Sequence, residues 1–455
     1  MASGTGKYEI DMCSGPLLPK IIQFTLPLMF SGILQLLFNA ADIIVVGKFA
    51  GDTALAAVGC TAALINLLTN LFTGVSVGAN VLAARYYGAR RQDELSQTVH
   101  TSMLTSLISG AILTVVGLVG ANVILGWMGT PDNVLELASL YLRIYFLGMP
   151  AMMLYNFGSS LLRAIGDTRR PLHYLSFAGA LNVALNLLFV IVFKMSVAGV
   201  AWATVISQCI SAGLVVRCLM KEQGGMHLDL KKLHIDKNKL QQLLAIGLPA
   251  GLQGVLFSLS NVIIQASINS FGDIAVAGNS AAANIEGFVW MAMNSFSQAS
   301  MAFTGQNVGA GRQERVNRIL IDSELLVFLT GLILGHGAFF FGKPLMSIYT
   351  DNPEVVEAGF LRMEVILRTY YLCGMMDVAV GALRGLGYSV MPTLVSLVGV
   401  CGLRLLWIFT AFRMPFFHNP TWLFITYPAS WLLTFIVHTT CFVVIRKRQG
   451  MHGRN

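Results

Sequence analysis

The sequence predicts an all-α integral membrane protein with twelve transmembrane helices, arranged as two six-helix lobes related by a parallel internal repeat. Three observations carry that prediction. Of the 455 residues, 55% are hydrophobic and only 11% charged, too apolar a balance for a water-soluble globular chain. The second half repeats residue patterns of the first. Lys and Arg collect in alternate connections between apolar runs, as the positive-inside rule requires of a polytopic chain.

The apolar runs lie at 20–46, 54–84, 97–127, 133–164, 171–194, 197–220, 240–270, 275–308, 315–343, 353–386, 390–412 and 420–446. Each is long enough to cross a hydrocarbon core of about 30 Å as a helix, and the longest imply tilt. With the N-terminus inside, twenty-two Lys and Arg fall in cytoplasmic segments, against Lys48, Lys194, Lys343 and Arg413 outside. Both termini are therefore expected in the cytoplasm, in a multi-pass protein of the plasma (inner) membrane. The net charge of +8 follows from this topology, and no nucleic-acid partner is expected. The N-terminal segment lacks a basic stretch joined to a short apolar run, so no cleaved signal peptide is expected.

The repeat is visible in particular residues. Leu26-Pro27 recurs as Leu248-Pro249, Gly51-Asp52 as Gly272-Asp273, Gly88-Ala89-x-Arg91 as Gly309-Ala310-x-Arg312, Leu162-Arg163 as Leu383-Arg384, and Pro171 as Pro392. Six spans per repeat is an even number, so both halves enter the membrane in the same sense. The expected organisation is a cytoplasmic segment (1–19), an N-terminal lobe (20–220), a basic cytoplasmic linker (221–239), a C-terminal lobe (240–446) and a cytoplasmic tail (447–455). Pro27 and Pro249 are expected to act as hinges, because proline removes a helical hydrogen bond.

Asp42 is the anomaly in the first span. A carboxylate at the centre of a membrane helix costs about 2.5–3.5 kcal/mol on insertion scales, which makes it a functional candidate unless it sits at headgroup level beside Gly47 and Lys48. Asn186 and Thr204 fall at a similar depth, roughly 6–12 Å from the outer boundary at ~1.5 Å of rise per residue. Asn182 lies one turn deeper on the Asn186 face. Together these side chains offer hard oxygen ligands for Na⁺ or a polar cage around a protonatable carboxyl; the alternative is that the asparagines only bond neighbouring helices.

In the second lobe Glu286, Asp377 and Arg404 fall inside spans. A Glu286–Arg404 or Asp377–Arg404 bridge is the structural expectation, and a cation-recognising Glu286 in a substrate cavity is the functional one. Trp290, Met291, Met293 and Asn294 follow on the eighth span and are candidates for the wall of that cavity, since aromatic and thioether groups adapt to varied apolar and cationic ligands. The glycines Gly74 and Gly78 read as helix-packing positions.

Asp42-x-x-x-x-Gly47 with Gly51 and Leu55-Ala56-Ala57-Val58-Gly59, the paired Gly-Ala-x-Arg turns, Leu181-Asn182-x-x-Leu185-Asn186 and Gly199-Val200-Ala201-x-Ala203-Thr204 resemble the MATE family of multidrug and toxic-compound exporters, over most of residues 20–446. The resemblance implies that Asp42 binds the coupling cation, joined by Asn182 and Thr204. Many members carry Asp where this chain has Asn186, which favours H⁺ over Na⁺ as the coupling ion. Nothing acidic lies between Gly247 and Phe271, and Phe257 holds the place of a seventh-helix carboxylate found in some branches.

The expected function is a secondary antiporter, exporting hydrophobic or cationic organic compounds in exchange for H⁺, less readily Na⁺. The alternative is a flippase for a lipid-linked substrate, which would want several Arg or Lys in its cavity. No Walker motif or paired catalytic motif is present, so no enzyme activity is expected. The seven cysteines form no CxxC pair, and neither a metal site nor a cofactor beyond the coupling ion is expected. The expected partners are a small organic substrate and membrane lipid, with the chain a monomer.

Overall fold

A computed structural model describes residues 8–452; Lys7 and Arg454, both counted for orientation, lie outside them. The described residues are helical throughout their regular structure. The first repeat runs α1 (Leu17–Phe49), α2 (Asp52–Gly88), α3 (Gln92–Trp127), α4 (Asp132–Leu147), α5 (Met149–Ala164), α6 (Arg169–Leu187) and α7 (Ser196–Lys221). The second runs α8 (Lys237–Asn269), α9 (Asp273–Gly309), α10 (Gln313–Phe340), the short α11 (Gly342–Ser347), α12 (Pro353–Thr369), α13 (Tyr371–Gly385), α14 (Val390–Ser396), α15 (Leu403–Phe409) and α16 (Pro420–His452).

Among the described residues nine spans are long and apolar enough to cross a membrane, Arg169–Val192 and Val390–Arg413 running through more than one segment, and two bent pairs, α4 with α5 and α12 with α13, raise the number to eleven. Each pair turns by 47° at its break. Pro150, at the second position of α5, accounts for the first bend, because its missing N–H costs a helix start nothing. The twelfth expected span is α9. It has the length, 37 residues, but Asn279, Asn284, Glu286, Asn294 and Gln298 dilute its apolar character. Glu286 and Asn279 are held by Arg362 of a neighbouring helix, and Asn284, Asn294 and Gln298 bond along α9 itself.

The repeat extends to backbone conformation. Gly51 and Gly272, which precede α2 and α9, have φ of 90° and 88°, and Gly166 and Gly387 have 92° and 94°. These angles are in the left-handed region that a side chain resists, so both turns require glycine in both halves. Two five- and six-residue π-helical segments, Leu188–Val192 and Leu397–Gly402, follow α6 and α14.

The chain divides into two compact units, one of Met1–Asp11 with Phe30–Leu252 and one of Met12–Met29 with Gln253–Asn455. Both divisions inside a helix fall just after a proline. Pro27 is interior to α1 and Pro249 to α8, and each helix continues through its proline. In the first unit α2 packs on the early part of α8 through glycine: a Cβ at Gly74 would lie 2.2 Å from Gly251 Cα and one at Gly78 2.1 Å from the Leu243 carbonyl oxygen. The linker is not a loose tether. Gly225 N–H donates to Gln92 at 2.6 Å, Asp236 N–H to Thr101 at 3.0 Å and Lys239 Nζ to the Tyr86 hydroxyl at 2.9 Å, all within the first unit.

Candidate functional site

Four side chains from three helices meet in the first unit. Asp42 comes from α1, Asn182 and Asn186 from successive turns of α6, and Thr204 from α7. The 3.6-residue period stacks the two asparagines on one face, where α6 packs on α7. Asn186 is fully buried and Asn182 is 6% exposed, whereas Asp42 is half-buried.

Their hydrogen bonds form one directed chain. The Asn186 amide nitrogen donates both to the Asp42 carboxylate and, at 3.2 Å, to the Asn182 oxygen. Asn182 Nδ2 in turn donates to Thr204 Oγ1 at 3.4 Å, and Thr204 donates to the Val200 carbonyl at 3.0 Å. An amide facing a carboxylate must present its NH₂, which leaves Asn186 Oδ1 pointing elsewhere. That oxygen is buried and has no hydrogen-bond partner. Among the described residues no Lys or Arg pairs with Asp42. Tyr141 and Tyr145, one turn apart on α4 with ring centroids 5.8 Å from each other, lie within electrostatic range of the Asp42 carboxylate. They were not singled out in the sequence, although their spacing of four on a span was the available signal.

The second unit holds a different arrangement. Arg362 of α12 grips Glu286 of α9 with two parallel bonds, Nε to Oε1 at 2.8 Å and Nη2 to Oε2 at 2.7 Å, while Nη1 donates to Asn279 at 2.6 Å. Glu286, Arg362 and Asn279 are all buried. The bridge expected from Glu286 or Asp377 to Arg404 does not form. Arg404 donates Nε to Ser430 at 2.9 Å and lies 4.0 Å from the Tyr427 ring centroid; its Nη2 is buried without a partner. Asp377 faces Trp290 and Arg384, and Arg384 donates to Gln253 at 2.8 Å.

The four expected cavity residues of α9 separate. Met293 is completely buried where α10 and α13 pass closest, its sulfur meeting the faces of Gly331 and Gly374, so it fills the interior of the second unit. Asn294 accepts from Gln298 at 3.0 Å. Trp290 is 36% exposed and Met291 is half-buried. No group of three or more His, Cys, Asp or Glu suited to a metal occurs among the described residues.

A model of the MatE family matches residues 27–188 and again residues 249–410. The chain belongs to the MATE family. It is a multi-pass membrane transporter, not an enzyme. The two matches start at Pro27 and Pro249, the repeated prolines. The chain is 28% identical over 388 residues to the probable multidrug resistance protein YoeA of Bacillus subtilis, covering 84% of each. It is 25% identical to the FAD transporter of Shewanella oneidensis, covering 77% of this chain and 78% of that one. Its fold superposes with a TM-score of 0.89 and 21% identity on an outward-facing multidrug resistance MATE transporter, over 100% of both chains.

Proposed function

We propose that this MATE-family transporter is an antiporter of the plasma (inner) membrane that exports hydrophobic or cationic organic compounds in exchange for protons, with Asp42 as the proton-binding group. The observation that carries the reading is the environment of Asp42: a carboxylate on a membrane-spanning helix that, among the described residues, receives one amide donor and no cationic side chain. Its ionised form needs a countercharge from outside the protein, and a proton is the smallest that fits. Protonation removes the charge that the Asn186 amide stabilises and so changes the contact between α1 and α6. The names of relatives as multidrug resistance proteins support the export of varied organic compounds. Each unit of pH difference contributes about 1.4 kcal/mol per proton, and ~100 mV adds about 2.3 kcal/mol per charge moved, enough to concentrate a substrate outward.

Na⁺ coupling is the second reading, and Asn186 Oδ1 favours it: a buried, unpartnered carbonyl oxygen beside a carboxylate is a hard ligand in waiting. Transport by the purified protein in liposomes, with pH and Na⁺ gradients imposed separately, distinguishes the two. The proton reading expects dye efflux driven by the pH gradient alone and lost in Asp42→Asn. Efflux driven only by Na⁺ would replace it with the second reading.

A further inference from the structure

α10 carries Glu324 eleven residues beyond its start at Gln313, about 16 Å along a 28-residue segment able to span a membrane. The residue is half-buried, yet both of its carboxylate oxygens are shielded and neither has a hydrogen-bond partner. The other buried carboxylates of the second unit are held differently. Glu286 has the two-pronged Arg362, and Asp322, two residues before Glu324, receives Arg318 Nε at 2.8 Å.

No charged side chain of the neighbouring elements pairs with Glu324 among the described residues. α10 packs on α9, α11, α12 and α13, and its first half also meets the chain ahead of α1, where Lys20 Nζ donates to the Ser14 carbonyl. On the packed helices, Arg362 holds Glu286, Arg368 lies 3.5 Å from Glu364, and Lys343 pairs with Glu357. Arg384 bonds Gln253 and faces Asp377. On α10 itself Arg315 donates to the Ser14 and Gly15 carbonyls and His336 meets the Leu332 carbonyl. From α16, Arg446 reaches Gln313 and Asn317. Tyr371 packs its ring on Phe328, and Cys373 lies near Asp377 and Arg404. None of them reaches Glu324.

The repeat shows how unusual the position is. The 221-residue spacing that pairs Gly51 with Gly272 also pairs Ser102 with Ser323, whose hydroxyls are both buried and unpartnered, and it pairs Met103 with Glu324. Met103 is 2% exposed. The matching place in the first repeat thus holds a buried apolar side chain, and an ionised carboxylate at Glu324 lacks both the hydrogen bonds and the countercharge that burial demands. A neutral carboxyl needs neither countercharge nor full hydration. We infer that Glu324 is a proton-binding carboxyl of the second unit, separate from Asp42 and occupied in this conformation. The inference holds whichever ion couples transport, because no part of it uses Asp42.

A hydrophobic carbodiimide reports this state. The carboxyl O–H adds across one C=N bond of dicyclohexylcarbodiimide, oxygen to carbon and proton to nitrogen, and the acyl group then shifts from oxygen to nitrogen to give a stable N-acylurea with no leaving group. With the full chain in liposomes at mildly acidic pH, mass spectrometry is expected to find the adduct on Glu324 in the wild type and in Asp42→Asn. Glu286, held by two hydrogen bonds from Arg362, is expected to stay unlabelled. A wild-type chain without the adduct on Glu324 overturns the inference, and that arm requires no variant. Infrared spectra supply the second arm: Glu324→Gln, or Glu324→Met as in the first repeat, is expected to remove a protonated-carboxyl C=O band. Loss of an ionised-carboxylate band instead overturns it.

Discussion

The two units share a backbone plan and differ in how they treat charge. The first unit brings the Asp42 carboxylate together with the amides of Asn182 and Asn186, and no cationic side chain pairs with it among the described residues. The second neutralises its buried Glu286 internally with Arg362. A site closed by its own ion pair has nothing to exchange; a site with an unmatched charge must take its countercharge from solution. On the proposed reading, coupling belongs to Asp42 in the first unit, and the Glu286–Arg362 clamp holds the second together.

The largest effect is expected where the comparison is sharpest. Asp42→Asn keeps the shape of a protonated carboxyl but has no proton to release, so the protein is expected to fold and reach the membrane while gradient-driven efflux in liposomes falls to the level of empty vesicles. Full efflux by this variant would dissolve the contrast between the units.

The clamp comes next. Removing one partner of a buried ion pair leaves the other charged and dry, at a cost of about 3–5 kcal/mol. Glu286→Gln is therefore expected to lower thermal stability in detergent by that order. Adding Arg362→Met is expected to recover most of it, because the cost lies in the stranded guanidinium. Rescue by Arg404→Leu in place of Arg362→Met would show that the two arginines exchange roles in another conformation.

Much of this arrangement was legible in the sequence, and the limits have physical causes. All twelve expected segments appear as helices, and α9 alone falls short in apolarity because it carries Glu286, which Arg362 satisfies inside the bundle, together with several amides. The convergence of Asp42 with Asn182, Asn186 and Thr204 followed from depth and from the i, i+4 spacing on α6, both of which are one-dimensional quantities. The partner of Glu286 did not follow. Arg362, Arg368 and Arg404 are all basic residues of the tenth and eleventh spans, and choosing among them depends on the azimuth of each helix. That azimuth is set by packing and by the 47° break after Thr369, where no proline marks the turn. Glu324 escaped notice for the opposite reason: it lies close after Arg318 and Asp322, and reads as the end of a polar turn until its oxygens are found without partners.

Within the first unit the comparison can be sharpened by moving one charge. Asn186→Asp places a second carboxylate where the Asn186 amide now donates to Asp42. Two anionic oxygens favour a bound cation over a single proton, so efflux is expected to become more dependent on Na⁺ and less on the pH gradient. The measurement is the ratio of initial efflux rates under the two gradients applied separately; an unchanged ratio would place ion selectivity outside this quartet.

The smallest effect belongs to Thr204, and its size follows from its bonds. The hydroxyl donates to Val200 of its own helix at 3.0 Å and accepts from Asn182 only at 3.4 Å, the far end of hydrogen-bonding range. Thr204→Ala removes that weak acceptor and leaves Asn182 still accepting from Asn186. A net hydrogen bond of this kind is worth about 0.5–1.5 kcal/mol, which bounds the loss of efflux rate at about tenfold and sets the expectation at a few-fold. Asn182→Ala severs the chain at two bonds and is expected to cost more. Thr204→Ser retains the hydroxyl and is expected to match the wild type in coupled efflux. If Thr204→Ser instead fails as badly as Asp42→Asn, the threonine methyl rather than its hydroxyl positions α7 against α6, and the quartet is a packing contact and not a proton-binding chain.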